Sequence, residues 1–189
     1  MNTGQMLLAL GAIMLLSKLA MTTNSHIAQS HDTIQTAEED IAAISIATSI
    51  VEEASGKIFD EVITDTTVTS LTSVTQLSSH LGRDGNERFR DTAAVFNGFD
   101  DFDDFDGLFL VYKSNLAADA APTQGSDYEF VVPDIRAKYF VHTKVEYVNE
   151  VNLDQASAIR TWHKKLTVTV TSPTSRDTLV FPSIMSYWN

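Results

Sequence analysis

The sequence predicts an α+β protein: a long N-terminal helix, apolar in its front half and amphipathic in its second, packed on a C-terminal antiparallel β-sheet head. Three observations predict it. Residues 5–21, QMLLALGAIMLLSKLAM, form an almost unbroken apolar run near the start of the chain. Apolar residues then recur at steps of three or four as far as residue 62, the spacing of one helix face. From residue 139 the spacing shortens to two, as in Tyr139, Val141, Thr143, Val145 and Tyr147, which marks strands with one wet and one dry face. The domain plan is an apolar helix over 1–26, an amphipathic helix over 27–63 and a β-rich head over 64–189.

Within the first run, Met6 to Leu16 contain no polar side chain, and Ala, Leu and Met favour helix. A secretory signal has an apolar core of similar length but begins with basic residues. Residues 1–5 contain neither Lys nor Arg, so the run is read as retained. A membrane span takes about 20 apolar residues; this run is slightly shorter, and Lys18 can extend its ammonium to an interface. The expectation is a helix that sits in membrane or packs against copies of itself. Thr22–His26 gathers weak helix formers and N-cap residues, a place for the helix to pause or bend.

The second half carries one stripe: Ile34, Ala37, Ile41, Ile44, Ala47, Val51, Ala54, Ile58 and Val62. A strict seven-residue repeat begins at Ile27, Ile34 and Ile41 but then meets Thr48 and Ser55. The stripe drifts as on a straight helix rather than a supercoiled one. A helix over residues 3–62 would reach roughly 90 Å. No head of this size covers that length, so the front half needs another cover.

In the head, Thr64–Ser79 holds ten Ser or Thr in sixteen positions, which suits an extended surface segment or a sugar-modified one. Gly82–Asn86 is a turn. Between Asn97 and Gly107, Asp100, Asp101, Asp103, Asp104 and Asp106 alternate with Phe99, Phe102 and Phe105 at period three. Carboxylates so close repel one another unless a cation, a basic partner or water intervenes. Two readings stand. The five aspartates hold calcium, a hard cation taking six to eight oxygens, although EF-hand spacing is not met; or the loop is acidic, solvated and pinned by its phenylalanines. No other cofactor is expected. Leu108–Tyr112 reads as a strand and Lys113–Asp127 as a loop. Strands follow over 139–147 and 166–171, then a turn at 173–177 into Thr178–Phe181, which Pro182 ends or bulges.

Thirteen basic against 25 acidic residues give a net charge of −12. With no basic patch beyond Lys164–Lys165, binding to a nucleic-acid backbone is excluded. The chain has no cysteine, which removes disulfides and thiol chemistry. His26, His31, His80, His142 and His163 are scattered, and no zinc-protease helix, phosphate loop, dinucleotide fingerprint or nucleophile elbow occurs. The expectation is a protein that is not an enzyme.

The plan resembles that of type IV pilins and pseudopilins. Three stretches carry the resemblance: Gly4–Gly11 (GQMLLALG); Phe99–Gly107, similar to an aspartate-rich loop of some pilin-like heads; and Trp162–Val170, similar to the basic-then-alternating strand of pseudopilin heads. The resemblance implies a structural subunit of an extracellular type IV pilus-like filament at the cell surface, active in assembly and adhesion. Gln5, Met6, Leu7, Leu8, Leu10, Ile13, Met14, Leu15, Leu16 and Lys18 would form its filament core. Implied partners are copies of the chain, a pilus or secretion assembly machinery, and the inner membrane before assembly. The family's basic leader is not visible ahead of Gly4, so the chain begins after processing or is assembled without it. Gln5 stands where the family carries a glutamate; it can hydrogen-bond in a dry helical core but supplies no charge. Two alternatives share these features: a pseudopilin or minor tip pilin, and a membrane-tethered calcium-dependent binding module.

Overall fold

A computed structural model of the chain describes residues 2–64, 73–85, 87–89, 98–114, 123–133, 135–175 and 177–187. Residues 65–72 of the Ser/Thr-rich tract, Asn86 of the predicted turn and 115–122 of the predicted loop lie outside the described residues. The chain divides into two units, Met1–Asp40 and Ile41–Asn189.

Helix α1 runs over Thr3–Ser55 and supplies the whole described part of the first unit. The expected pause at Thr22–His26 does not occur. Thr22 Oγ1 and Thr23 Oγ1 each donate to the carbonyl four residues earlier, Lys18 O and Leu19 O, at 2.9 Å. The hydroxyls thus find acceptors on the helix itself and leave its own ladder intact. Thr33 and Thr36 do the same on Gln29 O and Asp32 O.

In the second unit α1 stops at Ser55 instead of continuing to residue 62, and a separate short helix α2 follows at Glu61–Thr64. Gly56 is a poor helix former, and the backbone of Ile58 is taken by the aspartate loop. Ile58 N donates to Asp100 O (3.2 Å) and Phe102 N donates to Ile58 O (2.8 Å). A different stripe is also buried: Ala43, Ile46, Ala47, Ile50 and Ala54 face the core. Of the predicted stripe, Ala47 and Ala54 are buried, whereas Ile41 (64 % exposed) and Ile44 (44 %) face outward. Ala43, Ile46, Ala47, Ile50 and Ala54 share one core with inward residues of the β-sheet.

The sheet has five strands in the order β2-β1-β3-β4-β5: β1 Phe109–Lys113, β2 Tyr128–Val131, β3 Tyr139–Tyr147, β4 His163–Thr171 and β5 Leu179–Ser186. It is mixed, not wholly antiparallel, because β1 pairs β2 in parallel while the other pairings are antiparallel. The chain between Lys113 and Tyr128 is long enough for the crossover that parallel pairing requires. Pro182 neither ends nor bulges β5; it sits opposite Thr167, and on an edge strand its missing N–H is tolerated. Alternation holds on the central strands. Tyr139, Val141, Thr143, Val145 and Tyr147 are buried on β3, and Lys164, Leu166, Val168 and Val170 on β4. These side chains, apart from Thr143, Tyr147 and Lys164, share one core with the buried face of α1 and with Phe89, Phe99, Phe102 and Phe105.

The two helix faces are separable by experiment. Ile50→Ala should cost about 2–5 kcal/mol of head stability, as expected for emptying a buried site. Ile41→Ala should stay within about 0.5 kcal/mol. Urea unfolding of the full chain in detergent measures both, and the reverse ranking would refute the seating of α1.

Candidate functional site

The residues expected to form an assembly core all lie on α1, and their large apolar members are bare. Met6, Leu7, Leu8, Leu10, Ile13, Met14, Leu15 and Leu16 are exposed, from 52 % for Met6 to 77 % for Leu8. Gln5 and Lys18 are exposed as well. At 3.6 residues per turn, Leu7, Leu8, Leu10 and Ile13 point to all sides. A helix apolar all round its circumference belongs in a protein core or a membrane. Part of α1 is long and apolar enough to cross a membrane, and none of that stretch is buried within the chain.

The aspartate loop differs from the solvated acidic loop expected of it. Asp101, Asp103 and Asp104 are each only 2 % exposed. Phe99, Phe102 and Phe105 point into the core as expected, with Phe99 and Phe105 ring centroids 5.2 Å apart at a steep angle. A 3-10 turn at Asp103–Phe105 lets the intervening carboxylates fold back on backbone N–H groups. Asp101 Oδ1 accepts from Asp103 N (2.9 Å) and Asp104 N (3.1 Å). Asp104 Oδ2 accepts from Asp100 N (3.0 Å) and Asp101 N (3.2 Å). Asp106 Oδ1 accepts from Val145 N (2.7 Å), and Gly107, at φ 69°, turns its N–H onto Thr143 O. The loop thereby covers the part of β3 that lies beyond its pairing with β1, which ends at His142.

Asp103 points to the centre of the site. Its Oδ1 accepts from Lys164 Nζ at 2.5 Å, while Asp60 Oδ2 accepts from the same ammonium at 2.7 Å and Phe59 O at 2.8 Å. Lys164 and Asp60 are both fully buried. Asp60 also accepts from Ser78 N and Ser78 Oγ (3.1 and 3.0 Å), which ties the segment after residue 73 to the same point. The Tyr147 hydroxyl donates to Ser78 O at 2.9 Å. Sequence reasoning missed Asp60 and gave Lys164 no structural role, yet a signal existed. Lys164 keeps phase with Leu166, Val168 and Val170, so it stands on the dry face of an alternating strand and must find a buried partner there.

Burial shifts the titration of this cluster. Desolvation, then the neighbouring charges of Asp103 and Asp104, push the Asp101 carboxyl up to about 8 against the pull of Lys164. Asp103 is pushed up to about 6, chiefly by burial, again opposed by Lys164.

For a metal, the five aspartates are not brought together as one ligand set. Asp101, Asp103, Asp104 and Asp106 serve the internal contacts above, and Asp100 instead approaches Glu61 and Glu87. Among the described residues these three half-buried side chains bring one carboxylate oxygen each within 4.8 Å of one another. Glu87 is pushed up to about 8 by burial and by Asp104.

No protein-family model, curated protein or solved structure matches the chain; its function is read from the residues and geometry above. The pKa shifts predict a pH dependence of sign opposite to ordinary acid denaturation. Asp101, raised from 3.8 to about 8, binds its proton more tightly in the folded head than in the unfolded chain. Its contribution to stability is complete below pH 4 and is lost as pH rises towards 8. The melting temperature of wild type should therefore fall relative to that of Asp101→Asn over this window. Parallel curves for the two proteins would show that Asp101 does not titrate as described.

Proposed function

We propose that this chain is a structural subunit of an extracellular filament of type IV pilus-like plan, held in a membrane by its N-terminal helix before assembly and polymerising through it. The observation that carries this reading is the bare apolar surface of α1 over residues 6–16, which no other described residue covers. In a bilayer lipid covers it; in a filament, equivalent helices of other copies do. Exchanging lipid for protein leaves the apolar surface out of water in both states, so helix packing and polar contacts decide the outcome. Repeated head-to-tail contacts that do not close produce an open filament. The acidic heads, in a chain of net charge −12, face solvent and keep filaments apart. No catalytic step belongs to this function.

Lys18 sets the register. It is the one Lys or Arg in residues 1–40, and the acidic residues of that segment are Asp32, Glu38, Glu39 and Asp40. A cation enclosed in a bundle of apolar helices requires a carboxylate partner. Glu38 and Glu39 of a neighbouring copy provide one when that copy is displaced by about 30 Å along the helix axis, at 1.5 Å per residue.

Lys18→Glu should lower the yield of sheared filaments at least tenfold, the effect of about 1.4 kcal/mol or more per contact. Combining it with Glu38→Lys and Glu39→Lys should restore assembly. Normal filaments from Lys18→Glu alone would contradict the pairing. A chain that stays monomeric in the membrane whatever its charges would favour the tethered binding module.

A further inference from the structure

The centre around Lys164 has the features of a reaction site as well as of an ion pair. The amine nitrogen lies 2.5 Å from Asp103 Oδ1 and 2.7 Å from Asp60 Oδ2. All three side chains are essentially sealed from water, with Lys164 and Asp60 at 0 % and Asp103 at 2 % exposure. Aromatic rings close the space. Lys164 Nζ is 4.7 Å from the Phe59 ring centroid and 5.4 Å from that of Tyr147, and Phe102 and Phe105 are buried on either side of Asp103 in the sequence.

Forming an amide from an amine and a carboxylic acid requires three things that this arrangement supplies. The partners are held in contact by the fold, which replaces a bimolecular encounter. Water is excluded from the contact, so a proton leaving the amine passes directly to the touching carboxyl oxygen rather than to solvent. A second carboxyl group touches the amine and can relay a proton.

We propose that Lys164 and Asp103 condense in the folded head to form an intramolecular amide between Lys164 Nζ and Asp103 Cγ, with Asp60 as the proton relay. The ammonium first gives a proton to the Asp103 carboxylate, leaving a neutral amine beside a neutral acid. The nitrogen lone pair attacks Asp103 Cγ; the new N–C bond forms and one C–O bond breaks. Asp60 takes a second proton from the nitrogen and returns it to the departing oxygen, which leaves as water. One amide N–H remains on the former amine. One ammonium and one carboxylate disappear together, so net charge is unchanged and no oxidant, nucleotide or metal is consumed.

The geometry separates the roles of the two aspartates. Asp60 accepts from Ser78 N, Ser78 Oγ and Val62 N, which hold its carboxyl group in place beside the amine. Asp103 contacts the same amine from the aspartate loop, and burial makes its carboxyl easier to protonate. The product would join the aspartate loop covalently to β4 in a chain without cysteine. This inference concerns the head and does not rest on the filament reading.

Intact-mass spectrometry of the full chain, denatured after purification, reads the bond directly. Wild type should weigh less than its sequence by one water. Tryptic digestion should give a branched peptide linking the segment of Asp103 to that of Lys164, with no cleavage after Lys164. Lys164→Arg and Asp103→Ala should each show their full sequence mass, and Asp60→Asn should leave most chains uncondensed. Wild type at its full sequence mass, with a linear Lys164 peptide, would overturn the proposal and leave an ion pair. A branch mapped to Asp60 would overturn the assignment of Asp103 as the acyl group.

Discussion

Lys164 carries its ammonium to a fully buried position on β4, and three separate segments of the head are arranged by what that position demands. Removing one partner from a buried ion pair typically costs about 3–5 kcal/mol, because the charge left behind has no solvent. The fold meets the demand from two directions. Asp60 arrives from the chain just beyond α1, and Asp103 from the loop before β1. Ser78 then binds Asp60, which brings in the segment after residue 73. Bringing Asp103 inward places Phe102 and Phe105 in the core beside it. The bridge between Ile58 and Asp101 follows from holding both segments over the same cation, and it ends the helix before residue 62. The packing of Ala47, Ile50 and Ala54 into the core shared with the sheet is the apolar counterpart of the same closure.

The two units meet opposite physical requirements. The head buries an apolar core and pairs the charge it encloses, Lys164 with Asp60 and Asp103. The first unit does neither: Leu7, Leu8, Ile13, Met14 and Leu15 are left bare. A 53-residue helix keeps its backbone hydrogen bonds whether water, lipid or protein surrounds it, which suits a segment that changes surroundings. The threonines at 22, 23, 33 and 36 bond back onto the helix and so cost little in any of those media. The unit is complete only with a cover; under the proposed function, copies of itself provide one of matching length and character.

Much of this was legible in the sequence, for reasons that differ between elements. The α+β class, α1 and strands β3 and β4 follow from periodicity, because each has one dry face and the residue spacing records it. The choice of buried stripe on α1 was not legible. Two apolar faces overlap there, and the one that is buried is the richer in alanine. The aspartate loop was located, and of the two readings left open for it the solvated one fails on burial. Composition shows five acids at period three; it does not show that a lysine sixty residues later, together with backbone N–H groups, will take up Asp101, Asp103, Asp104 and Asp106. Lys164 was visible as an inward residue of an alternating strand, but its partner Asp60 had no local signature. The parallel pairing of β1 with β2 depends on a crossover, and no short-range pattern encodes that.

Electron microscopy of material sheared from cells expressing the chain, with density traced against the sequence, tests the central claim most directly. A central bundle of helices containing residues 6–16, with neighbouring copies offset by about 30 Å so that Lys18 faces Glu38 or Glu39, is the predicted result. Filaments whose axis is built from heads with the apolar helices outside would contradict it. So would an absence of filaments, with the chain retained in the membrane fraction.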